Sequence, residues 1–149
     1  MLVISVASNL QEKITYSNTL NQNIDGSSFW MCIKIFSFLY SVSLDEDEAA
    51  DGSLFYDDGE SLETVEHGEY FLGEITMREG EIRMSVVTDR YRGMDSLNVE
   101  RIIVLGLRRE VAEVTVNGLP HTEWTYKAGG LMINNLILSP NENFTIQLK

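Results

Sequence analysis

Residues 69–88, EYFLGEITMREGEIRMSVVT, dictate how this chain must fold. Phe71, Gly73, Ile75 and Met77 alternate with Tyr70, Leu72, Glu74 and Thr76, and Ile82, Met84 and Val86 carry the same period of two onward. Successive side chains of a strand point to opposite faces, so the alternation describes two strands that each turn one apolar face inward. Between them, Arg78-Glu79-Gly80 ends on the residue that most readily takes the positive φ of a short hairpin loop. The stretch reads as a β-hairpin with one buried face.

The same grammar continues on both sides. In residues 99–107 the run Ile102-Ile103-Val104-Leu105 is apolar on both faces, as in a central strand. Residues 113–116 end at Asn117-Gly118, the strongest short-range hairpin signal in the chain, and residues 122–126 are expected to return from it. Lys127-Ala128-Gly129-Gly130 turns the chain into residues 131–138, and Ser139-Pro140-Asn141 leads to a last strand at 143–148. Upstream, residues 29–44 are strand material with Phe36, Phe38, Tyr40 and Val42 on one side. A single helical turn is expected near 61–65, where Ser61 would cap the start and Gly68 follows soon after. Seven or eight short strands without a long helical period predict an all-β fold, an antiparallel β-sandwich. Residues 1–28, rich in Asn, Ser, Thr and Gln, show no sustained period and read as a poorly ordered arm. The division is therefore an N-terminal arm over 1–37, with a strand at its end, and a β-sandwich domain over 38–149.

Composition supports one folded unit. A chain of 149 residues with 44% hydrophobic content and two prolines can bury a core. It is too short for an α/β barrel, which alone takes roughly 250 residues. The net charge of -12 is local: residues 44–66 hold ten acids and no base. Phosphate binding needs a basic patch, so this distribution excludes a nucleic-acid partner. Cys32 is the only cysteine, which rules out an intrachain disulfide. The apolar start at 1–10 has no basic flank and is weaker than a secretory leader; residues 29–42, interrupted by Lys34, fall short of the roughly 20 that span a bilayer. Neither a signal peptide nor a membrane span is read.

The acidic stretch contains the motif with the most information, Asp51-Gly52-Ser53-Leu54-Phe55-Tyr56-Asp57-Asp58-Gly59-Glu60-Ser61. It resembles a stretch of the glycoside hydrolase family 31 α-glucosidases near their C-termini: Gly, a variable residue, Leu, Phe, an aromatic, Asp-Asp-Gly, Glu or Gln, then Ser or Thr. Gly52, Leu54, Phe55, Tyr56, Asp57, Asp58, Gly59, Glu60 and Ser61 match it, with Tyr56 where Trp is usual. The likeness extends in order through Leu44-Asp45-Glu46, Glu66-His67-Gly68-Glu69-Tyr70, residues 97–106 closing on Leu105-Gly106, and the turn from Val114 to Pro120. Residues 39–149 thus resemble the distal C-terminal β-domain of that family.

The resemblance implies a non-catalytic domain or fragment of an α-glucosidase, whose partner would be the catalytic barrel it supports. It also implies a secreted, lysosomal or endoplasmic reticulum setting. The family's Asp nucleophile lies in a Trp-x-Asp-Met-x-Glu context, which neither Trp30-Met31-Cys32 nor Trp124-Thr125-Tyr126 resembles. No catalytic residue is therefore carried over, and the chain alone is expected not to be an enzyme.

Read from the residues themselves, the motif is architecture. Leu54, Phe55 and Tyr56 would anchor a strand, and Asp57-Asp58-Gly59 supplies side-chain hydrogen bonding and a positive-φ position for its exit. A catalytic reading of Asp57 and Asp58 fares poorly, because neighbours on a strand face opposite ways and a glycosidase pair must span a sugar by about 5–9.5 Å. Asp45, Asp47 and Asp51 cluster as calcium ligands would, yet Ala49 and Ala50 break the loop pattern, and His67 and His121 lack ligand spacing. No metal and no cofactor are expected. Cys32, within an apolar run, reads as a small buried hydrophobe. Asn143-Phe144-Thr145 is an N-glycosylation sequon, meaningful if the chain is secreted. Tyr91, Trp124 and Tyr126 are the candidate platform for a sugar such as an α-glucan, with core packing the plainer reading. Two other roles stand beside the support domain: a stand-alone carbohydrate-binding module, and an interaction protein using an exposed apolar surface.

Overall fold

The computed structural model describes residues 2–7, 37–58 and 63–149. Eleven strands run through them: β1 (Leu2–Ala7), β2 (Ser37–Ser43), β3 (Ala50–Tyr56), β4 (Phe71–Arg78), β5 (Glu81–Asp89), β6 (Asn98–Leu105), β7 (Val114–Val116), β8 (Leu119–His121), β9 (Trp124–Lys127), β10 (Gly130–Ile133) and β11 (Phe144–Leu148). A four-residue helix, α1 (Thr64–His67), links β3 to β4, and a 3₁₀ turn over Arg92–Ser96 links β5 to β6. Two sheets result, one in the order β1-β2-β6-β10-β9 and one in the order β3-β4-β5-β11-β7-β8. The all-β sandwich expected from the sequence is what forms.

The hairpin over residues 69–88 is tighter than expected. β4 and β5 pair from Phe71↔Asp89 to Arg78↔Glu81, which places Arg78 in the strand and leaves only Glu79 and Gly80, both at positive φ (51° and 78°), to turn the chain. Two successive positive-φ residues match the right-handed twist of the flanking strands. Phe71, Ile75, Met77, Ile82 and Met84 of this hairpin are all buried, on the face the alternation assigns.

Facing them across the sandwich are Phe38, Tyr40 and Val42 of β2, Val99, Ile102 and Val104 of β6, and Leu131 and Ile133 of β10. Leu54, Val114, Phe144, Ile146 and Leu148 belong to the same core, with Ala50, Met94, Leu97, Leu107, Val111 and Leu136. The Tyr40 hydroxyl is buried without a hydrogen-bond partner among the described residues, and burial pushes its phenol well above the ordinary value of 10.0.

Four expectations change. First, β1 and β2, and β2 and β6, pair in parallel. Between β2 and β6 the chain makes three strands in the other sheet, an odd number, and so returns in the direction it left. Second, the supposedly loose arm contributes β1: LVISVA is rich in β-branched residues and supplies a strand to the open edge of β2. The rest of the arm, including residues 29–36 and Cys32, lies outside the described residues. Third, the strand returning from Asn117-Gly118 is β8, not residues 122–126, because a two-residue turn (φ 49° and 80°) starts the pairing at once with Val116↔Leu119. Trp124–Lys127 crosses to the other sheet and pairs with β10. Fourth, the helical turn sits later than expected, at Thr64–His67, closed by Gly68 at φ 70°.

Candidate functional site

The site with the most structure is the corner where β3 ends. Strand alternation buries Leu54 and turns Phe55 to the opposite face, where its ring stacks on Tyr70 at 5.2 Å between centroids. Tyr56 faces inward at the end of the sandwich. Its ring meets Phe38 edge-on at 6.1 Å and lies 5.8 Å from Tyr91, tilted by 47°. Aromatic pairs favour such edge and tilted geometries. The last residue of the strand is thus held by rings from β2 and from the segment after β5.

Asp57 then leaves the strand and accepts a hydrogen bond at Oδ2 from the Thr64 hydroxyl, 2.9 Å away. Thr64 is the first residue of α1 and is buried, so the bond ties the exit of β3 to the helix across the intervening loop. Asp58 is exposed beside it. Desolvation, followed by the charges of Tyr56, Asp58 and Asp57, holds the Tyr91 phenol above the usual tyrosine range. Gly59, Glu60 and Ser61 of the motif lie outside the described residues. The roles of Thr64, Phe38, Tyr70 and Tyr91 at this corner had no signal in the sequence beyond residue type, since three of the four come from distant segments.

Asp45, Glu48 and Asp51 also have structural partners. Asp45 Oδ1 accepts the backbone N–H groups of Asp47 (2.9 Å) and Ala49 (2.8 Å), which closes the β2–β3 loop. Glu48 accepts the Arg108 N–H at 2.6 Å, and Asp51 pairs with Arg78. Among the described residues no group of three His, Cys, Asp or Glu side chains is placed to hold a metal ion. His67 lies 3.6 Å from Glu63 on α1, whereas His121 Nε2 bonds the Asn134 carbonyl at 2.8 Å, so the two histidines serve separate places. No helix among the described residues is long and apolar enough to cross a membrane.

The three aromatics read as a sugar platform are not brought together. Tyr91 sits against Tyr56, while Trp124 and Tyr126 lie two residues apart on β9, at the edge of the other sheet. Both β9 rings are half-buried and pack against the core. Asn143 is exposed just before β11, and its Oδ1 accepts the Val86 N–H at 2.7 Å.

The comparisons with known proteins agree with one another. The chain is 34% identical over 109 residues to intestinal sucrase-isomaltase of Suncus murinus, which is 68% of this chain and 6% of that protein. It is 35% identical over 86 residues to lysosomal alpha-glucosidase of Mus musculus, 58% of this chain and 9% of that protein. A crystal structure of a glucosidase II alpha subunit superposes with a TM-score of 0.60 at 20% identity, covering 78% of this chain and 15% of that one, a likeness of fold. No family model matches. The chain spans less than a tenth of the length of these curated relatives.

Proposed function

Over 68% of its length the chain is a homologue of the glycoside hydrolase family 31 α-glucosidases, and from that kinship we propose that residues 38–149 are a non-catalytic C-terminal β-domain that packs against and supports a catalytic barrel. The observation that carries the reading is the Asp57–Thr64 bond. The carboxylate that most resembles a catalytic acid is engaged in holding the exit of β3 to α1. A glycosidase acid or nucleophile must instead face its partner across an open sugar site.

The two outer faces of the sandwich support a packing role. The outer face of β3-β4-β5-β11 carries Asp51, Ser53, Glu74, Arg78, Arg83 and Gln147 beside Phe55 and Leu72, with the cross-strand ion pair Arg78–Asp51. That is a solvated surface. On the other sheet, alternation turns Ile103, Leu105 and Met132 outward, and nearby Ile137 is 87% exposed. Apolar surface of this kind marks an interaction site more often than bare solvent contact.

The test is release of 4-nitrophenol from 4-nitrophenyl α-glucoside by the purified chain. No turnover above buffer is expected. Turnover that disappears in Asp57→Asn would overturn the proposal, because it would show Asp57 acting on substrate.

A further inference from the structure

Asn143-Phe144-Thr145 is the only Asn-X-Ser/Thr sequence in the chain, and Phe144 at the middle position is not proline. From its setting we propose that Asn143 is an N-glycan attachment site, built so that the sugar adds without disturbing the fold. The proposal stands apart from the barrel-support reading and does not depend on it.

β11 pairs with β5 from Phe144↔Met84 onward, so Val86 would next face residue 142. The chain has left the sheet by then, and a register shift at Leu72/Gly73 leaves Val87 as an extra residue on β5. The Asn143 side chain fills the gap: its Oδ1 takes the Val86 N–H at 2.7 Å in place of a backbone carbonyl. The same bond fixes the side chain, since the amide then presents Nδ2 as its other end. Asn143 is exposed, and the hollow beside it is lined by Arg83, Met84, Ser85, Asn117, Phe144 and Thr145. Thr145 is held by its backbone, with its N–H donating to Asn117 Oδ1 at 2.9 Å and its carbonyl accepting the Asn117 N–H at 2.8 Å.

The chemistry leaves these bonds intact. The donor is an oligosaccharide on a polyisoprenyl diphosphate. The bond from Asn143 Nδ2 to the anomeric carbon forms, the anomeric bond to the diphosphate oxygen breaks, and one Nδ2 proton is lost. Oδ1 remains a carbonyl oxygen and continues to accept from Val86. The sugar projects from the end of β11 beside the solvated outer face of its sheet, where it displaces no apolar contact.

The experiment expresses the full chain behind a cleavable secretory leader in eukaryotic cells and reads intact mass before and after peptide N-glycosidase F. Wild type is expected to carry one enzyme-sensitive glycan, and release should convert the glycosylated asparagine to aspartate, located by peptide mass spectrometry. Thr145→Val is expected to lose the glycan while keeping the Val86 bond, so its Tm should match that of wild type expressed without a glycan in bacteria. Asn143→Gln is expected to lose the glycan and to melt below Thr145→Val. A secreted wild-type chain without glycan overturns the proposal whatever the variants do. A glycan that persists in Asn143→Gln overturns it equally.

Discussion

Replacing Thr64 with Val perturbs the motif corner at a single bond. Thr64 is 5% exposed, and Val has nearly its shape, so packing is preserved and the Oγ1–Asp57 Oδ2 bond of 2.9 Å is what disappears. A hydrogen bond to a charged acceptor contributes about 1.5–3 kcal/mol. Asp57 is half-exposed and has a further interaction, so water and that second contact restore part of the loss. The expected destabilisation is therefore about 1–2 kcal/mol. In a chain of this size such a change lowers Tm by roughly 2–4 °C per kcal/mol. Asp57→Asn keeps a carbonyl acceptor but weakens the bond, and the Thr64→Val/Asp57→Asn pair should be non-additive by about 0.5–1.5 kcal/mol. Urea unfolding followed by tryptophan fluorescence measures all four chains, with m expected to stay constant because the exposed surface does not change. Additivity within about 0.3 kcal/mol would refute the claim that the motif works as a structural clamp.

Two further predictions come from other parts of the sandwich. Tyr40→Phe removes a buried hydroxyl without a partner and retains the ring stacked 6.2 Å from Phe38, so it should stabilise by about 1 kcal/mol in urea titrations. The raised phenol pKa adds a pH signature: wild-type stability should be intact below the unfolded tyrosine value of 10.0 and fall as pH rises past it, and Tyr40→Phe should flatten that slope. On the outer face, Leu105→Ser with Ile137→Ser should reduce self-association of the isolated chain on a sizing column without lowering Tm, since these side chains are 46% and 87% exposed. Unchanged elution of an associating wild type would mean that another surface is responsible.

The local parts of the fold were legible because their causes are local. Alternation in residues 69–88 assigns the buried face of β4 and β5 residue by residue, and Asn117-Gly118 locates its turn to the residue. The errors fall where chain ends and pairing partners matter. Arg78 reads as loop until its pairing with Glu81 is seen. Residues 122–126 read as the return of a hairpin because their β pattern is sound; only the neighbouring strand shows that Trp124–Lys127 serves the other sheet. Tyr91 and the β9 pair Trp124 and Tyr126 likewise take their places from neighbours that residue type does not reveal.

Period, glycine conformation and motif order are properties of neighbouring residues, so the all-β class, the inward faces, the turns and the family likeness could all be read along the chain. The parallel course of β2 and β6, the grip of Phe38 and Tyr91 on Tyr56, and the bond from Thr64 to Asp57 could not. Those contacts join segments up to dozens of residues apart, and their geometry exists only once both sheets have closed on a common core.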